Sequence, residues 1–161
     1  MCYSVGVKLA WEISSYEAAN KKSSTIEIDH IMLGILSLDK FQKHIKLESK
    51  RDREKLNFEK DSLYHMLTSF NLNIKTLRRK LRDILPNGNG LPSNNIFHRS
   101  EDCKNMFAEA ICFANNHLSL KYLFLAIILK NSSYFRTMLI DKNVDINKLK
   151  SKIMFSFYKN N

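Results

Sequence analysis

Residues 17–36 read EAANKKSSTIEIDHIMLGIL, and residues 109–128 read EAICFANNHLSLKYLFLAII. The two stretches align without a gap at an offset of 92. Each begins with Glu-Ala, carries an aliphatic residue eight positions after that alanine, and ends in an apolar run. Self-similarity at a fixed spacing is typical of a chain built from repeated structural units. The sequence therefore predicts two similar halves.

A second pair of similar segments shows where the halves differ in length. Residues 67–77 align with residues 139–149 at an offset of 72, which is 20 less than the first offset. The difference predicts an insertion of about that length between Leu38 and Leu63 of the first half. The segment from about 40 to 61 fits, because it holds eight basic and five acidic residues. Acids alternating with bases favour a solvated helix or loop with charge pairs four residues apart.

Both halves have the apolar spacing of helices. Val5, Leu9 and Ile13 recur every four positions, and the apolar residues of segment 74–84 recur every three or four. No convincing alternating strand is present. Both prolines and two of the four glycines lie in the segment 86–95, which cannot continue a helix. We therefore predict one all-α domain over residues 1–161, with two pseudo-symmetric repeats of about four helices each: repeat one at 1–85, a linker at 86–95, and repeat two at 96–161.

Two asparagines hold equivalent places near the ends of the repeats. Asn71 and Asn143 each follow one predicted helix, and asparagine tolerates the left-handed conformation that closes a helix. Asn73 and Asp145 come two residues later and are suited to cap the next helix. We interpret both pairs as structural.

Composition and charge limit the cellular context. The chain has 161 residues and a formal net charge of +10, which favours acidic partners, nucleic acid first among them. Its three cysteines form no C-x-x-C pair, its N-terminus lacks a signal-peptide apolar core, and its longest apolar run, 122–129, is too short to span a bilayer. We expect a cytoplasmic protein that does not enter a membrane.

The duplicated pattern resembles the Clp repeat, which occurs twice in the N-terminal domain of Clp-family AAA+ unfoldases. Residues 17–36 match it with His30 at the motif histidine, whereas the second copy has Tyr122 there. The resemblance covers nearly the whole chain apart from the insertion and the last few residues. It implies an all-α pseudo-dimer of two four-helix units that sits above an ATPase ring and has no catalytic activity of its own.

The function that this resemblance implies is the docking of substrate or adaptor proteins for an ATP-dependent Clp unfoldase, chaperone or protease. An apolar groove between the units, or a charged rim, would capture the partner. The chain has no G-x-x-x-x-G-K-[ST] segment, so the ATPase would lie on another region or chain. The alternatives are a free-standing Clp-repeat regulator that competes for adaptors, and a basic helical protein associated with nucleic acid.

The resemblance also suggests one binding site. In ClpC-like members, an acidic residue before the motif histidine and a hydroxyl residue near the start of the domain bind phosphorylated arginine. The matching residues here are Ser4 and Asp29, whereas repeat two has Ile96 and Lys121 at those places. The resemblance thus leaves at most the first site.

Chemistry beyond binding is not expected. The five histidines show no H-x-x-x-H or H-E-x-x-H spacing, and none lies near a cysteine pair, so we predict no metal and no cofactor. No nucleophile and base are paired in the sequence, and we interpret His30 as a packed structural histidine whose ring satisfies a nearby backbone group.

The basic residues have two interpretations. Lys75, Arg78, Arg79 and Arg82 form a basic surface that could track phosphates, but no aromatic residues alternate with them to stack bases. We therefore do not expect specific nucleic-acid binding. The face is either simply solvated or recruits an acidic protein partner.

Overall fold

A computed structural model describes residues 2–42, 47, 49–92, 94 and 96–158. Within these residues the chain forms nine helices and four two-residue strands. The helices are α1 (Val5–Asn20), α2 (Ile28–Leu36), α3 (Leu38–Phe41), α4 (Lys50–Thr68), α5 (Ile74–Ile84), α6 (Glu101–Phe113), α7 (Leu120–Leu129), α8 (Tyr134–Asp141) and α9 (Ile146–Tyr158). The strands are β1 (Cys2–Tyr3), β2 (Thr25–Ile26), β3 (His98–Arg99) and β4 (His117–Leu118).

The helices confirm the all-α fold with two matching halves. When 92 is added to the residue numbers of α2, they match those of α7, and when 72 is added to those of α5, they match those of α9. The order α1, α2, α4, α5 is thus repeated by α6, α7, α8, α9. Helix α3 is extra and lies where the insertion begins.

The four short strands are an element that the sequence did not predict. Strand β1 pairs in parallel with β4, and β2 pairs in parallel with β3. Each pair joins one strand from the first half to one from the second. Two residues are too few to produce a visible alternation of apolar and polar side chains, so no sequence pattern marks them. The pairs tie the two halves together at their helix entrances.

The charge pattern of the insertion predicts a solvated segment, and only part of the insertion is exposed to solvent. Its exposed part follows the prediction, because Lys50 and Glu54 form an i,i+4 ion pair at 3.9 Å. Leu56, however, is completely buried and Lys60 is 7% exposed. These residues belong to α4, which has 19 residues against 8 in the equivalent α8 and therefore extends the helix at its N-terminus. Residues 43–46 and 48 of the insertion lie outside the described residues.

The turns that close the repeats are as predicted. Asn71 and Asn143 have φ angles of 58° and 56°, in the left-handed region. The side chains of Asn73 and Asp145 accept hydrogen bonds from the N–H groups of Thr76 and Lys148, each at 3.0 Å, and so cap α5 and α9.

The linker packs against the residues that end α1. The N–H groups of Gly88 and Gly90 donate to the carbonyl oxygens of Lys21 and Lys22 at 2.8 and 3.0 Å. The Lys21 ammonium donates in turn to the carbonyl oxygen of Leu85 at 2.8 Å. These contacts hold the linker against the first half.

The described residues include no single helix that is long and apolar enough to cross a bilayer. Helices α7 and α8 would meet that criterion only as a pair, and the chain bends by 77° between them.

At Gly34, the glycine of the first apolar motif, two helices approach each other closely. A Cβ atom on Gly34 would lie 2.2 Å from the carbonyl oxygen of Ala10, so α2 lies directly against the backbone of α1. A Cβ on Gly6 would instead meet side-chain atoms, at 2.6 Å from Glu59 and 2.7 Å from Leu120. Backbone in a packed helix pair yields far less readily than side chains do.

We therefore expect Gly34→Ala to lower the free energy of unfolding by at least about 3 kcal/mol, because the helices must move apart. Gly6→Ala is the matched control and should cost less, because it displaces the ends of the Glu59 and Leu120 side chains, even at the expense of a Glu59 hydrogen bond, and not the backbone of a neighbouring helix. Urea unfolding of the two variants measures the difference. Equal losses would show that α1 and α2 are not in backbone contact at Gly34.

Candidate functional site

Asp29, the predicted acidic site residue, is almost completely buried at the junction of the two halves. Its carboxylate accepts hydrogen bonds from the Ser133 hydroxyl, the Tyr134 N–H and the Phe135 N–H, each at 2.9 Å. These donors form the N-terminus of α8, where a carboxylate also suits the helix dipole. Burial raises the pKa of Asp29, and the three hydrogen bonds oppose that rise. Asp29 therefore caps a helix of the other half.

The equivalent residue, Lys121, has no such task because the insertion has removed the corresponding helix N-terminus. The offset of 72 would place that N-terminus near residue 62, which lies inside the continuous helix α4. Helix α4 presents Glu59 there instead, and partial burial lowers the pKa of Lys121 while the Glu59 carboxylate raises it. Lys121 thus lies close enough to the Glu59 carboxylate for an electrostatic attraction between the two side chains.

Glu59 itself links three helices. Its carboxylate accepts the N–H of Leu120 at 2.6 Å, at the start of α7, and it also accepts hydrogen bonds from Ser4 and from the backbone of Gly6 at the start of α1. Burial raises the pKa of Glu59, and these hydrogen bonds oppose the rise. No sequence signal marked this residue, since it lies in a segment dense in charge.

Ser4 and Asp29 thus bind different partners. The Ser4 hydroxyl caps α1 by accepting the Val7 N–H at 3.1 Å and also bonds to Glu59, whereas Asp29 is bound to α8. A phosphorylated arginine would have to displace these hydrogen bonds. Its binding at Ser4 and Asp29 stays a prediction. Ile96, the counterpart of Ser4, is 56% exposed.

His30 is packed as the sequence predicted. It is 4% exposed, and its Nδ1 atom accepts the N–H of Glu27 at 3.0 Å. The two residues form a reciprocal capping box at the start of α2. Burial lowers the pKa of His30, so the neutral ring is favoured.

One member of the predicted basic surface, Arg82, is half-buried and pairs with an acid of the core. Arg82 pairs with the buried carboxylate of Glu17, donating through both Nε, at 3.0 Å, and Nη2. Glu17 is the acid of the first Glu-Ala pair, and an unpaired carboxylate at 2% exposure would be costly. Lys75 and Arg79 are exposed, and Lys75 and Arg78 line an open groove of about 1480 Å³ beside α3 and α4.

A second groove, of about 340 Å³, lies between the two halves and was not located by the sequence. Helix α1 with β1 supplies one side, and α6 with β3 supplies the other. We call it the Trp11 groove, and it is lined by Tyr3, Val7, Lys8, Trp11, Glu12, Arg99 and Phe107.

Aromatic rings form the apolar part of the Trp11 groove. Trp11 and Phe107 meet edge to face, with ring centroids 6.1 Å apart and planes at 82°. The Arg99 guanidinium carbon lies 5.6 Å from the Trp11 ring and 5.1 Å from the Phe107 ring, within the range of cation–π attraction. A sequence signal for the groove exists in hindsight: Trp11 is the chain's only tryptophan, and it lies beside polar Lys8 and Glu12 on α1.

The described part of the chain holds no cluster of three or more histidine, cysteine or carboxylate side chains that could hold a metal ion. Burial raises the pKa of Cys103 to about 12, so this thiol is not a nucleophile at neutral pH.

Two solved structures resemble the whole chain. The Hsp104 N-terminal domain from Candida albicans aligns with a TM-score of 0.66 and 7% identity, over 96% of this chain and 90% of that domain. The N-terminal domain of the caseinolytic protease associated chaperone ClpD from Arabidopsis thaliana aligns with a TM-score of 0.58 and 12% identity, over 97% of this chain and 94% of that one. This chain has the Clp N-terminal fold. The Clp N-terminal fold is therefore shown by structure alone, since no family model and no curated protein matches the sequence.

The hydrogen bonds of Asp29 generate a stability prediction. In Asp29→Asn the amide N–H₂ group must face a donor of α8, which leaves buried donors unpaired. We expect the free energy of unfolding to fall by about 1–3 kcal/mol. Asp145→Asn is the matched control: it changes an exposed cap to an equally good one and should cost almost nothing. Urea unfolding that showed equal stability for both variants would refute the contact.

The buried His30 ring generates a pH prediction. Below about pH 6.5 the unfolded chain takes up a proton at His30, whereas the folded chain, whose pKa is lower, does not. The free energy of unfolding contributed by His30 therefore falls as pH drops below that value, by up to about 1.4 kcal/mol per pH unit.

The variant His30→Gln keeps the capping box and removes the titration, so its stability should change less with pH than that of the parent chain. His65→Gln, at an exposed position, is the control and should follow the parent. Thermal unfolding of the three proteins between about pH 7 and about pH 5 measures the difference. Parallel pH profiles for the parent and His30→Gln would contradict a neutral, buried ring.

Proposed function

We propose that this chain is a non-catalytic docking module that works in the cytoplasm and captures substrate or adaptor proteins for a Clp-type, ATP-dependent unfoldase. The observation that carries the proposal is the Trp11 groove, which lies between the halves of a Clp N-terminal fold. The ATPase would reside on another region or another chain.

The chemistry of the groove supports protein capture. Tryptophan, tyrosine and arginine are the residues that most often carry binding energy at protein interfaces. Trp11, Tyr3 and Arg99 all line this groove, together with apolar Val7 and Phe107 and the charged residues Lys8 and Glu12. Burying one or two apolar side chains of a partner against these rings would provide affinity with little demand for a fixed partner sequence.

The alternative of a free-standing regulator uses the same groove. A chain that is not joined to an ATPase would bind the same adaptors or substrates and withhold them from the unfoldase. The two functions differ in their effect on substrate unfolding by a Clp ring. A module that is part of the unfoldase would accelerate substrate capture, whereas a separate chain would inhibit it.

Docking is tested by the binding of a permanently unfolded, reduced and alkylated protein that carries a fluorescent label. We expect fluorescence anisotropy to rise as the parent chain is added, and the Kd fitted to that rise to increase about tenfold with Trp11→Ala, since a central aromatic anchor is worth at least about 1.4 kcal/mol.

Phe58→Ala is the matched control, because Phe58 is 69% exposed and lies outside the groove. Thermal unfolding identifies any variant that has lost its fold, and Tyr3→Ala at the groove rim then serves as the replacement for Trp11→Ala. Unchanged binding by both groove variants would refute the groove as the docking site.

A further inference from the structure

The Arg99 guanidinium contributes a positive charge to the Trp11 groove and forms no ion pair within the described residues. Arg99 is half-buried against two aromatic rings, yet no carboxylate of the described residues lies within ion-pair distance of it. Among the other half-buried arginines, Arg82 donates to Glu17 and Arg136 donates to the carbonyl oxygen of Ile128 at 2.6 Å, whereas Arg78, like Arg99, forms no ion pair within the described residues. A guanidinium carries five N–H donors in one plane, and partial burial limits their access to water.

The charge of the groove favours an anionic ligand. Lys8 and Arg99 are both cationic, whereas Glu12 is the one carboxylate among the lining residues, and it forms no ion pair with Arg99. An anion that enters the groove thus finds a fixed, partly desolvated cation beside an apolar floor. Contact with two rings already restricts the Arg99 side chain, so less conformational entropy is lost when a ligand binds.

We propose that the Trp11 groove binds the C-terminal residue of a protein chain, with an apolar side chain against Trp11 and Phe107 and the terminal carboxylate on Arg99. This inference rests on the proposed docking function and specifies its substrate class. A carboxylate matches the planar guanidinium through two parallel hydrogen bonds.

A terminal residue fits better than an internal acidic one for a geometric reason. The α-carboxylate and the side chain of a C-terminal leucine or phenylalanine leave the same Cα atom, so one residue reaches both the rings and Arg99. An internal aspartate or glutamate would need a neighbouring residue to supply the apolar group, and its chain would have to leave the groove in two directions. A volume of about 340 Å³ is at the small end for ligand pockets, which suits one terminal residue.

The test compares three short peptides that differ only at the end. The first ends in leucine with a free carboxylate, the second is its C-terminal amide, and the third is the amide with a glutamate before the leucine. Because Trp11 is the only tryptophan, its fluorescence reports directly on the groove, and calorimetry provides a second readout. The proteins are the parent chain, Arg99→Gln, and Arg79→Gln as a control that removes an exposed arginine outside the groove.

We expect the free acid to bind the parent chain at least about tenfold more tightly than either amide, as for one charge-assisted hydrogen-bond pair. The preference should disappear in Arg99→Gln and persist in Arg79→Gln. It should also weaken as salt is added.

Equal binding of the acid and its amide would overturn terminal recognition while leaving docking intact. Tight binding of the glutamate-containing amide would overturn it in favour of internal acids. If none of the peptides binds and the unfolded protein still does, the terminal proposal fails alone. If neither the peptides nor the unfolded protein binds, the proposed function fails with it.

Discussion

The carboxylate of Asp29 meets three donors of α8 in the interior, and this contact determines how the two halves of the molecule are joined. A buried carboxylate is tolerated only where hydrogen bonds replace its water, and the N-terminus of a helix supplies them. Because Asp29 belongs to α2 and its donors belong to the second half, α8 has one favourable position against α2. Glu59 performs a similar task between α4, α1 and α7. The Trp11 groove depends on this arrangement, since Trp11 comes from the first half and Arg99 and Phe107 come from the second.

The insertion makes the two halves unequal at the place where repeat one has Asp29 and repeat two has Lys121. Because α4 begins earlier than its counterpart α8, no helix starts at the position that corresponds to the N-terminus of α8, and Lys121 instead lies near Glu59 of α4. The inserted turns of α4 are also part of the core through Leu56. The insertion therefore stabilises the junction of the halves as well as adding charge to the surface.

Local features of the fold could be predicted from the sequence, and long-range contacts could not. The helices and the turns at Asn71 and Asn143 follow from residue spacing and backbone preference over a few positions, and so does the packed His30. Arg82 and Glu17 are 65 residues apart, and Asp29 and Ser133 are 104 apart, so no local pattern reveals that they meet. An apolar groove between the halves was one of two docking surfaces that the resemblance implied, the other being a charged rim. The residues of the Trp11 groove were not named, because they come from helices and strands of both halves. The sequence does not distinguish an arginine that pairs with a buried acid, as Arg82 does, from an arginine that lines a groove, as Arg99 does.

The chain has a Clp N-terminal fold in which the carboxylates of Asp29 and Glu59 join the two repeats, and an aromatic groove, which we propose to bind a protein partner, lies between them. The most direct measurement is nuclear magnetic resonance of the isotopically labelled chain during titration with an unfolded polypeptide. We expect the single indole N–H signal of Trp11 to shift together with the backbone signals of Tyr3, Arg99 and Phe107. Shifts confined to Lys75, Arg78 and Arg79 of the predicted basic surface, with the Trp11 signal unmoved, would contradict docking in the Trp11 groove.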